Sequence, residues 1–425
     1  MNATHTSNLW HHSAAETVAA PPLTSDLDVD LLVIGGGFTG NSAALHAARE
    51  GASVVVLEAE TIGHGGSGRN VGLVNAGLWL PPDEVIETMG EAAGLKLVDA
   101  LGAGPAKVFE IIEREGIDCE ATRKGTLHLA HSPEGLKDIE DRYRQGNRHG
   151  APLRLINSDE TVRRTGTEAF HGALFDPRAG TIQPLAYCRG LARAAQAAGA
   201  MICENAPVTE LRQDNGVWAA RANGHVVRAE KLLIATNAYH TGFDDPFQPE
   251  FVRFNFCQFA TEPLSESQRA KILPGDEGCW DTAMVMSSIR LDRAGRLIVG
   301  GVGSVEDPGA GLHEAWARRK LRALYPELGD IGFQHVWSGR IAMTDDHIPK
   351  IVAFGPNAYA CFGYSGRGIS PGTVFGAAAA EALLRGDESG LPVIPVERHQ
   401  ERLTAAKATY YELGAKLTHF AAHRR

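Results

Sequence analysis

A run of glycines near the N-terminus has the residue types and spacing that bind a dinucleotide. Residues Gly35–Gly40 read GGGFTG, which contains GxGxxG directly after an apolar, β-branched run and directly before an alanine-rich helical stretch. In such a turn the first glycine permits the tight bend, the second lets the backbone approach a pyrophosphate, and the third permits close helix–strand packing. Glu58 ends the second strand and can accept hydrogen bonds from an adenosine ribose. The pattern predicts either a nicotinamide or a flavin dinucleotide.

Two further glycine-rich segments favour a ligand longer than the adenosine half of a dinucleotide. One is Gly65–Gly72, which is too flexible for the interior of a helix or strand, and which a nicotinamide dehydrogenase does not need. The other is Cys361–Gly372, which precedes a helix predicted to start at Thr373. We expect its backbone amides and the start of that helix to face a polar group. We therefore expect the three segments to converge on one extended ligand.

These segments carry a resemblance to a known family. Together with Asp176–Pro184, Ala235–Ala238 and the start Asn8–Trp10, they make the sequence similar to the D-amino-acid oxidase-like FAD-dependent oxidoreductases over about residues 27–390. That family includes glycine oxidase, sarcosine oxidase and the γ-glutamylputrescine oxidoreductase group. The resemblance implies FAD bound in an extended pose.

The resemblance also implies which residues hold FAD. The pyrophosphate would lie on the first turn, the adenine near Val208, and the flavin ring between the second and third glycine-rich segments. The residues so implied are Gly35, Gly37, Phe38, Thr39, Gly40, Glu58, Ser67, Arg69, Asn70, Val208, Thr236, Gly363, Gly366, Arg367, Gly368 and Ile369. Sarcosine oxidases attach their flavin through a cysteine near the segment that here reads Trp337–His347, and this segment has none. We expect non-covalent FAD, with attachment through His64 as the alternative.

Four side chains are candidates for the implied chemistry, which is removal of hydride from a carbon bonded to nitrogen. Arg340 looks like the arginine with which glycine and D-amino-acid oxidases bind a substrate carboxylate through a bidentate contact. A structural ion pair with Asp345 or Asp346 is the alternative role for this side chain. Arg69 and Arg367 place positive charge near the flavin, where it would stabilise the anionic reduced ring. Tyr364 is a candidate flavin wall, with core packing as an equal explanation.

The implied substrate is a small amino acid or secondary amine, such as the N-substituted glycines iminodiacetate and sarcosine. It would give an imine that hydrolyses to an aldehyde or oxo acid plus an amine. A polyamine derivative such as γ-glutamylputrescine is the alternative, and Arg367, where the family commonly has histidine, favours the compact anion. Oxygen or a quinone-type carrier is the expected electron acceptor, because no second GxGxxG precedes a helix. Two interpretations from other classes are a nicotinamide-dependent dehydrogenase and a catalytically silent flavin-binding subunit.

An α/β arrangement must position these residues. Strand-type runs followed by amphipathic helices occupy both ends of the chain, whereas short alternating segments from Phe251 to Gly303 are typical of an antiparallel sheet. We predict a Rossmann-like FAD-binding domain built from discontinuous segments and an α+β substrate-binding domain with a largely antiparallel sheet. The predicted segments are 27–80, 176–245 and 331–390 for the first domain, 81–175 and 246–330 for the second, 1–26 for an extended surface arm and 391–425 for a helical C-terminal extension.

Composition excludes several classes of function. The 425 residues carry 41 Lys+Arg against 51 Asp+Glu, a formal charge of −10, and no basic block, so nucleic acid is not an expected partner. No apolar run approaches the roughly 18–20 residues that cross a bilayer. The six cysteines lack CxxC pairing and the N-terminus lacks a signal pattern, so we expect reduced thiols and a cytoplasmic protein. No metal is expected, because the cluster Asp345–His347 lacks a further ligand.

Overall fold

The computed structural model describes residues 7–241, 247, 249–306 and 309–421. Parts of the predicted segments therefore lie outside the described residues: 1–6 of the arm, 242–246 and 248 at the boundary between the two predicted domains, 307–308 of the second domain and 422–425 of the extension. Among the described helices, none is long and apolar enough to cross a membrane.

Helices occur along the whole described chain. Their bounds are α1 Leu9–Ser13, α2 Phe38–Arg49, α3 Pro82–Met89, α4 Glu91–Gly102, α5 Gly104–Glu115, α6 Pro133–Arg148, α7 Ser158–Thr165, α8 Pro184–Ala197, α9 Glu266–Arg269, α10 Ala310–Leu324, α11 Ile369–Arg385 and α12 Thr404–Ala421. Helices α3, α4 and α5 follow one another closely, and they are separated at Gly90 and Ala103, where one helix ends and the next begins.

The strands form two large sheets and a small one. Their bounds are β1 Leu27–Ile34, β2 Val54–Leu57, β3 Leu73–Val74, β4 Thr126–Leu129, β5 Arg154–Ile156, β6 Ala173–Asp176, β7 Gly180–Thr181, β8 Met201–Cys203, β9 Val208–Asp214, β10 Val217–Ala222, β11 His225–Ile234, β12 Val252–Pro263, β13 Gly278–Asp281, β14 Ser288–Leu291, β15 Arg296–Val302, β16 Phe333–Met343, β17 Lys350–Gly355 and β18 Ala358–Phe362. Strands β3 and β7 pair with each other and form the small two-stranded sheet.

The first large sheet is the parallel, helix-covered sheet that the N-terminal glycine turn requires. Its order is β17-β18-β11-β1-β2-β8, with β10 and β9 extending from β11, and its neighbours from β18 to β8 run parallel. Residues 31–34 of β1 are all buried and apolar, as expected of a strand with both faces covered. Helix α2 returns along this sheet and packs against α8 and α11. The predicted α/β fold with a discontinuous Rossmann-like sheet is confirmed.

The second large sheet is largely antiparallel, as predicted. Its order is β16-β12-β15-β14-β13-β4-β6-β5, and only the β13–β4 pair within it runs parallel. Helix α10 covers one face, where Trp316 packs close to Gly301. The opposite face is turned towards residues 65–72, since Trp337, on that face, donates from its indole Nε1 to the Arg69 carbonyl at 2.8 Å.

The structure differs from the predicted surface arm at its most apolar residues. Leu9 and Trp10 lie in the short helix α1 and are fully buried. The Trp10 indole packs edge-on against Trp337, with ring centroids 5.7 Å apart, and its Nε1 donates to the Asn70 carbonyl. The Trp10 ring thus helps to hold the arm beneath the second glycine-rich segment, a contact that the Ser/Thr/Ala-rich composition of residues 1–26 does not indicate.

Two boundaries also shift. Strand β16 pairs with β12 along most of its length, so residues 333–343 belong to the second sheet, and the segment starting at 331 rejoins the first sheet only after Met343. Helix α11 begins at Ile369 rather than at Thr373. Pro371 is compatible with this start because a proline in the first turn of a helix sacrifices no intrahelical hydrogen bond.

Candidate functional site

The three glycine-rich segments converge on one cleft of about 830 Å³ lined by residues of both large sheets. The hydroxyl groups of Tyr364 and Thr39 lie 2.8 Å apart, which joins the third segment directly to the first turn. The predicted site residues that line the cleft are Gly35, Gly37, Phe38, Thr39, Glu58, Ser67, Arg69, Asn70, Val208, Thr236, Arg340, Tyr364, Gly366, Arg367, Gly368 and Ile369. Gly40 and Gly363 are not among its lining residues.

The first turn is held in shape by close packing and by Glu58. Gly35 has a φ of +109°, and a Cβ on Gly40 would lie 2.0 Å from the Gly35 carbonyl oxygen, so both positions need glycine. The two carboxylate oxygens of Glu58 accept from the Gly36 amide at 2.7 Å and the Glu60 amide at 3.0 Å. Burial raises the pKa of Glu58. Each carboxylate oxygen retains a lone pair for a ligand hydroxyl.

The second segment is braced from both sides. Ser67 Oγ accepts from the Phe38 amide at 3.0 Å, which ties the segment to the start of α2. The Asn70 side chain donates to the carbonyls of Gly66 and Ser67 and therefore stabilises its own turn. From beneath, Asn8 donates to the Gly68 carbonyl at 2.8 Å.

Arg69 links the second segment to β16. Its Nε donates to the His64 carbonyl at 2.8 Å and its Nη1 to the Ser338 carbonyl at 3.1 Å. The guanidinium thus lines the cleft with much of its hydrogen-bonding capacity already used by the backbone. His64 lines the same part of the cleft, and burial, followed by the charge of Arg69, lowers the pKa of its imidazole.

The third segment combines packing residues with residues that face the cleft. Gly363 has a φ of +81° and donates from its amide to Asn237 Oδ1 at 3.0 Å, so it shapes the segment without reaching the cleft. Tyr364 is buried, and burial raises the pKa of its hydroxyl. Because that hydroxyl is paired with Thr39, Tyr364 contributes its ring to the cleft wall and its polar group to the packing of α2.

Arg367 is a cation held between two tryptophans. Its guanidinium carbon lies 5.4 Å from the centroid of Trp79 and 5.3 Å from that of Trp280, and Nη1 donates to the Ala76 carbonyl at 3.0 Å. Within the described part of the chain it forms no ion pair. Burial, followed by the charge of Arg142, lowers the pKa of Arg367 to about 9. The side chain lines both the main cleft and a neighbouring cavity of about 300 Å³.

Arg340 lines the cleft from a different direction. It pairs with Asn255 on β12, whereas Ile341 pairs with Phe254. Directly opposed residues lie on the same face of a sheet, and successive residues of one strand lie on alternate faces. Arg340 is therefore exposed on the face away from Ile341 and Phe254, where its guanidinium lies 5.7 Å from the Tyr239 ring centroid.

The ion pair that was the alternative role for Arg340 is absent among the described residues. Asp345 pairs with Lys407 and Asp346 with Lys350 instead. No group of three His, Cys, Asp or Glu side chains in the described ranges could hold a metal ion.

Several residues of the site gave no recognisable signal in the sequence. Strand register places one residue from each of four neighbouring strands of the second sheet side by side on the face that lines the cleft. We call them the floor row: Gln258, Gly300, Ser288 and Trp280. Trp79, Glu306 and Tyr411 also line the cleft. Their positions depend on pairings between distant segments, so neither local periodicity nor a motif could have found them.

Comparisons with known proteins agree with the geometry. The family model described as FAD dependent oxidoreductase (DAO) matches residues 30–382. Gamma-glutamylputrescine oxidoreductase of Escherichia coli (strain K12) is 31% identical over 434 residues, which cover 97% of this chain and 99% of that protein. The probable oxidoreductase OrdL of Haemophilus influenzae is 29% identical over 396 residues, which cover 90% of this chain and 89% of that protein. The crystal structure of glycine oxidase from Geobacillus kaustophilus has a TM-score of 0.72 at 20% identity, covering 86% of this chain and 96% of that one.

Proposed function

The chain belongs to the FAD dependent oxidoreductase (DAO) family, and on that premise we propose that it oxidises a carbon–nitrogen bond in a compact amine that carries a carboxylate. The coarser activity, FAD-dependent oxidation of amino or amine substrates, follows from the family and its relatives. N-substituted glycines such as sarcosine and iminodiacetate are the substrate class that we propose.

The residues of the cleft fit FAD. The first-turn amides of α2 are the donors a pyrophosphate needs, and Glu58 has lone pairs to accept from a ribose. Val208 would lie at the adenine, and Ser67–Asn70 and Gly366–Ile369 would surround the ring system. When bound, FAD supplies the acceptor for two electrons. The absence of Cβ atoms at Gly35 and Gly37 lets the turn pack closely against Ala235 and Ser67, which also line the cleft.

The protein's part in the reaction is to bind, orient and desolvate the amine. The substrate carbon gives up its hydrogen with two electrons, the nitrogen gives up a proton, and a carbon–nitrogen double bond forms. Water then adds to that bond and the amine leaves, which yields an aldehyde or oxo acid. The two electrons pass on to oxygen or a quinone-type carrier. Holding the reacting C–H bond in place is the chief requirement, since the cofactor performs the difficult step.

The observation that carries the proposal is Arg367. A half-buried guanidinium that has no carboxylate partner among the described residues is poorly compensated, so a substrate carboxylate placed there would regain a charge-assisted, bidentate contact. Trp79 and Trp280 flank the guanidinium and orient it. Arg340 was the residue expected for this contact. We place it at an outer position, because it lies on the opposite face of β16 from Ile341 and is exposed.

A second candidate is a γ-glutamylated amine. Arg340 and Glu306 both line the cleft, and a γ-glutamyl group carries a carboxylate and an ammonium of complementary charge. The Escherichia coli gamma-glutamylputrescine oxidoreductase, similar over nearly the whole chain, supports this alternative. In that case Arg340, rather than Arg367, would make the essential carboxylate contact.

Anaerobic titration of the flavin-loaded protein tests both candidates. Sarcosine, iminodiacetate and γ-glutamylputrescine are added separately, and loss of the visible flavin absorption is followed. We expect the N-substituted glycines to bleach the flavin, and Arg367→Met to raise their apparent dissociation constants by a factor on the order of a hundred, as for a lost charged contact. Bleaching by γ-glutamylputrescine alone, weakened by Arg340→Met, would establish the alternative. No bleaching by any amine would refute both and favour a catalytically silent flavin-binding protein.

A further inference from the structure

Gln258 is a buried amide with an unused acceptor at the centre of the cleft floor. Its side chain lines the cleft with only 4% of the residue exposed, and its Oε1 has no hydrogen-bond partner among the described atoms. An unsatisfied buried carbonyl of this kind is unfavourable, because the hydrogen bonds that it would make to water are lost and not replaced. A ligand donor in the cleft would remove that cost.

Gly300 provides the space that the amide occupies. A Cβ at position 300 would lie 2.2 Å from Gln258 Oε1 and 2.4 Å from its Nε2. Glycine in a strand interior weakens the strand and marks a close approach of another group. The amide therefore extends across the neighbouring strand, along the floor row and towards Trp280.

The floor row brings the two contacts to the same part of the cleft. Gly300 and Trp280 lie two strands apart, which is roughly 10 Å at the usual strand spacing, and the Arg367 guanidinium lies 5.3 Å from the Trp280 ring centroid. Two contacts placed this near each other suit a compact substrate better than an extended polyamine.

We propose that Gln258 determines specificity by accepting a hydrogen bond from the substrate's amine nitrogen while Arg367 holds its carboxylate. This inference rests on the proposed function and names the second contact of the same site. A neutral amide oxygen suits the step, because a carboxylate at this position would hold the nitrogen as ammonium and keep its lone pair from the new double bond. Together the two residues select amines with nitrogen on the carbon next to the carboxylate.

A matched pair of non-oxidisable ligands isolates this contact. Pyrrole-2-carboxylate has an N–H donor beside its carboxylate, and 2-furoate has a ring oxygen at the same place. Their dissociation constants are measured from the visible absorption changes of the flavin-loaded protein, a readout independent of turnover. Gln258→Met should weaken pyrrole-2-carboxylate at least tenfold and change 2-furoate less than threefold. The control Gln213→Met alters an exposed glutamine on β9 and should change neither.

Each outcome separates the inference from the proposed function. Equal losses for the two ligands, or none, in Gln258→Met would overturn the inference. Failure of the unmodified protein to bind either ligand would instead overturn the proposed carboxylate site. Should Gln258→Met not fold, Gln258→Glu gives a second measurement: the pH profile of anaerobic flavin reduction should move to higher pH, because the new carboxylate raises the pKa of the bound amine. An unshifted profile in that variant would equally overturn the inference.

Discussion

Replacing Gly40 with alanine tests whether close packing behind the first turn controls cofactor binding. Gly40 is the third residue of α2, and a Cβ there would lie 2.0 Å from the Gly35 carbonyl oxygen. Restoring an ordinary contact of about 3.4 Å requires α2 to move by about 1.4 Å away from the turn. Overpacking of this kind costs about 1–3 kcal/mol, whereas alanine in a helix gains at most about 1 kcal/mol over glycine.

The displacement should weaken FAD binding as well as the fold. The amides at the start of α2 move with the helix, so we expect the dissociation constant of FAD to rise at least tenfold, equivalent to about 1.4 kcal/mol. The assay is reconstitution of the apoprotein with FAD, followed by flavin fluorescence, together with thermal unfolding of the apo form. Gly40→Ala should unfold a few degrees lower than the unmodified protein.

Gly311→Ala is the matched control. Gly311 is likewise in the first turn of a helix, α10, but a Cβ there meets nothing within 4 Å. This variant should be as stable as the unmodified protein or slightly more so, with unchanged FAD affinity. If Gly40→Ala behaves as Gly311→Ala does, the argument from close packing is wrong.

Three further outcomes are expected. Tyr411→Ala should extend the range of N-alkylglycine chain lengths that are oxidised, because Tyr411 lines the cleft, whereas Tyr410→Ala, at an exposed neighbour, should leave kcat/KM across the same series unchanged. Acid precipitation should leave the flavin in the supernatant, and a yellow pellet that becomes colourless in His64→Ala would contradict non-covalent binding. Burial, followed by the charges of His313 and Arg319, lowers the pKa of His419 from 6.5 to about 3. The His419 imidazole therefore binds a proton more readily in the unfolded chain than in the folded one. The stability that the neutral imidazole contributes is fully present above pH 6.5 and is lost as the pH falls towards 3. Amide exchange in α12, corrected for intrinsic rates, should therefore accelerate between pH 7 and 5, and equal protection at both values would refute this.

The first turn could be predicted from sequence because its requirements are local. A bend of positive φ at Gly35, a close helix contact at Gly40 and an acid at the end of the next strand are each met within about thirty residues. The same holds for the unit β1-α2-β2, whose two strands and helix follow one another along the chain. Glycine placement in the second and third segments likewise revealed that they bend sharply, although not what holds them there.

The face of the sheet on which a strand residue lies could not be predicted in the same way. Arg340 and Ile341 are neighbours, and a shift of one residue in the pairing of β16 with β12 would exchange their directions. Sequence spacing contains no information on that register when both neighbours are plausible. The assignment of Arg340 to the substrate carboxylate therefore depended on resemblance alone, and nothing in the mixed polar and apolar sequence of β12 distinguishes Gln258 from its neighbours.

The outer part of the cleft is built by a segment that lies beyond the matched family model, which ends at residue 382. Helix α12 starts at Thr404 and brings Tyr411 to the cleft, where it packs on Phe254 with ring centroids 5.4 Å apart. The next residue, Glu412, accepts from Asn255 at 2.7 Å, and Asn255 pairs with Arg340 across the sheet. Because the residues that line the cleft come both from the matched region and from α12, a preference between a compact and an extended amine would depend on this helix as well as on the shared core.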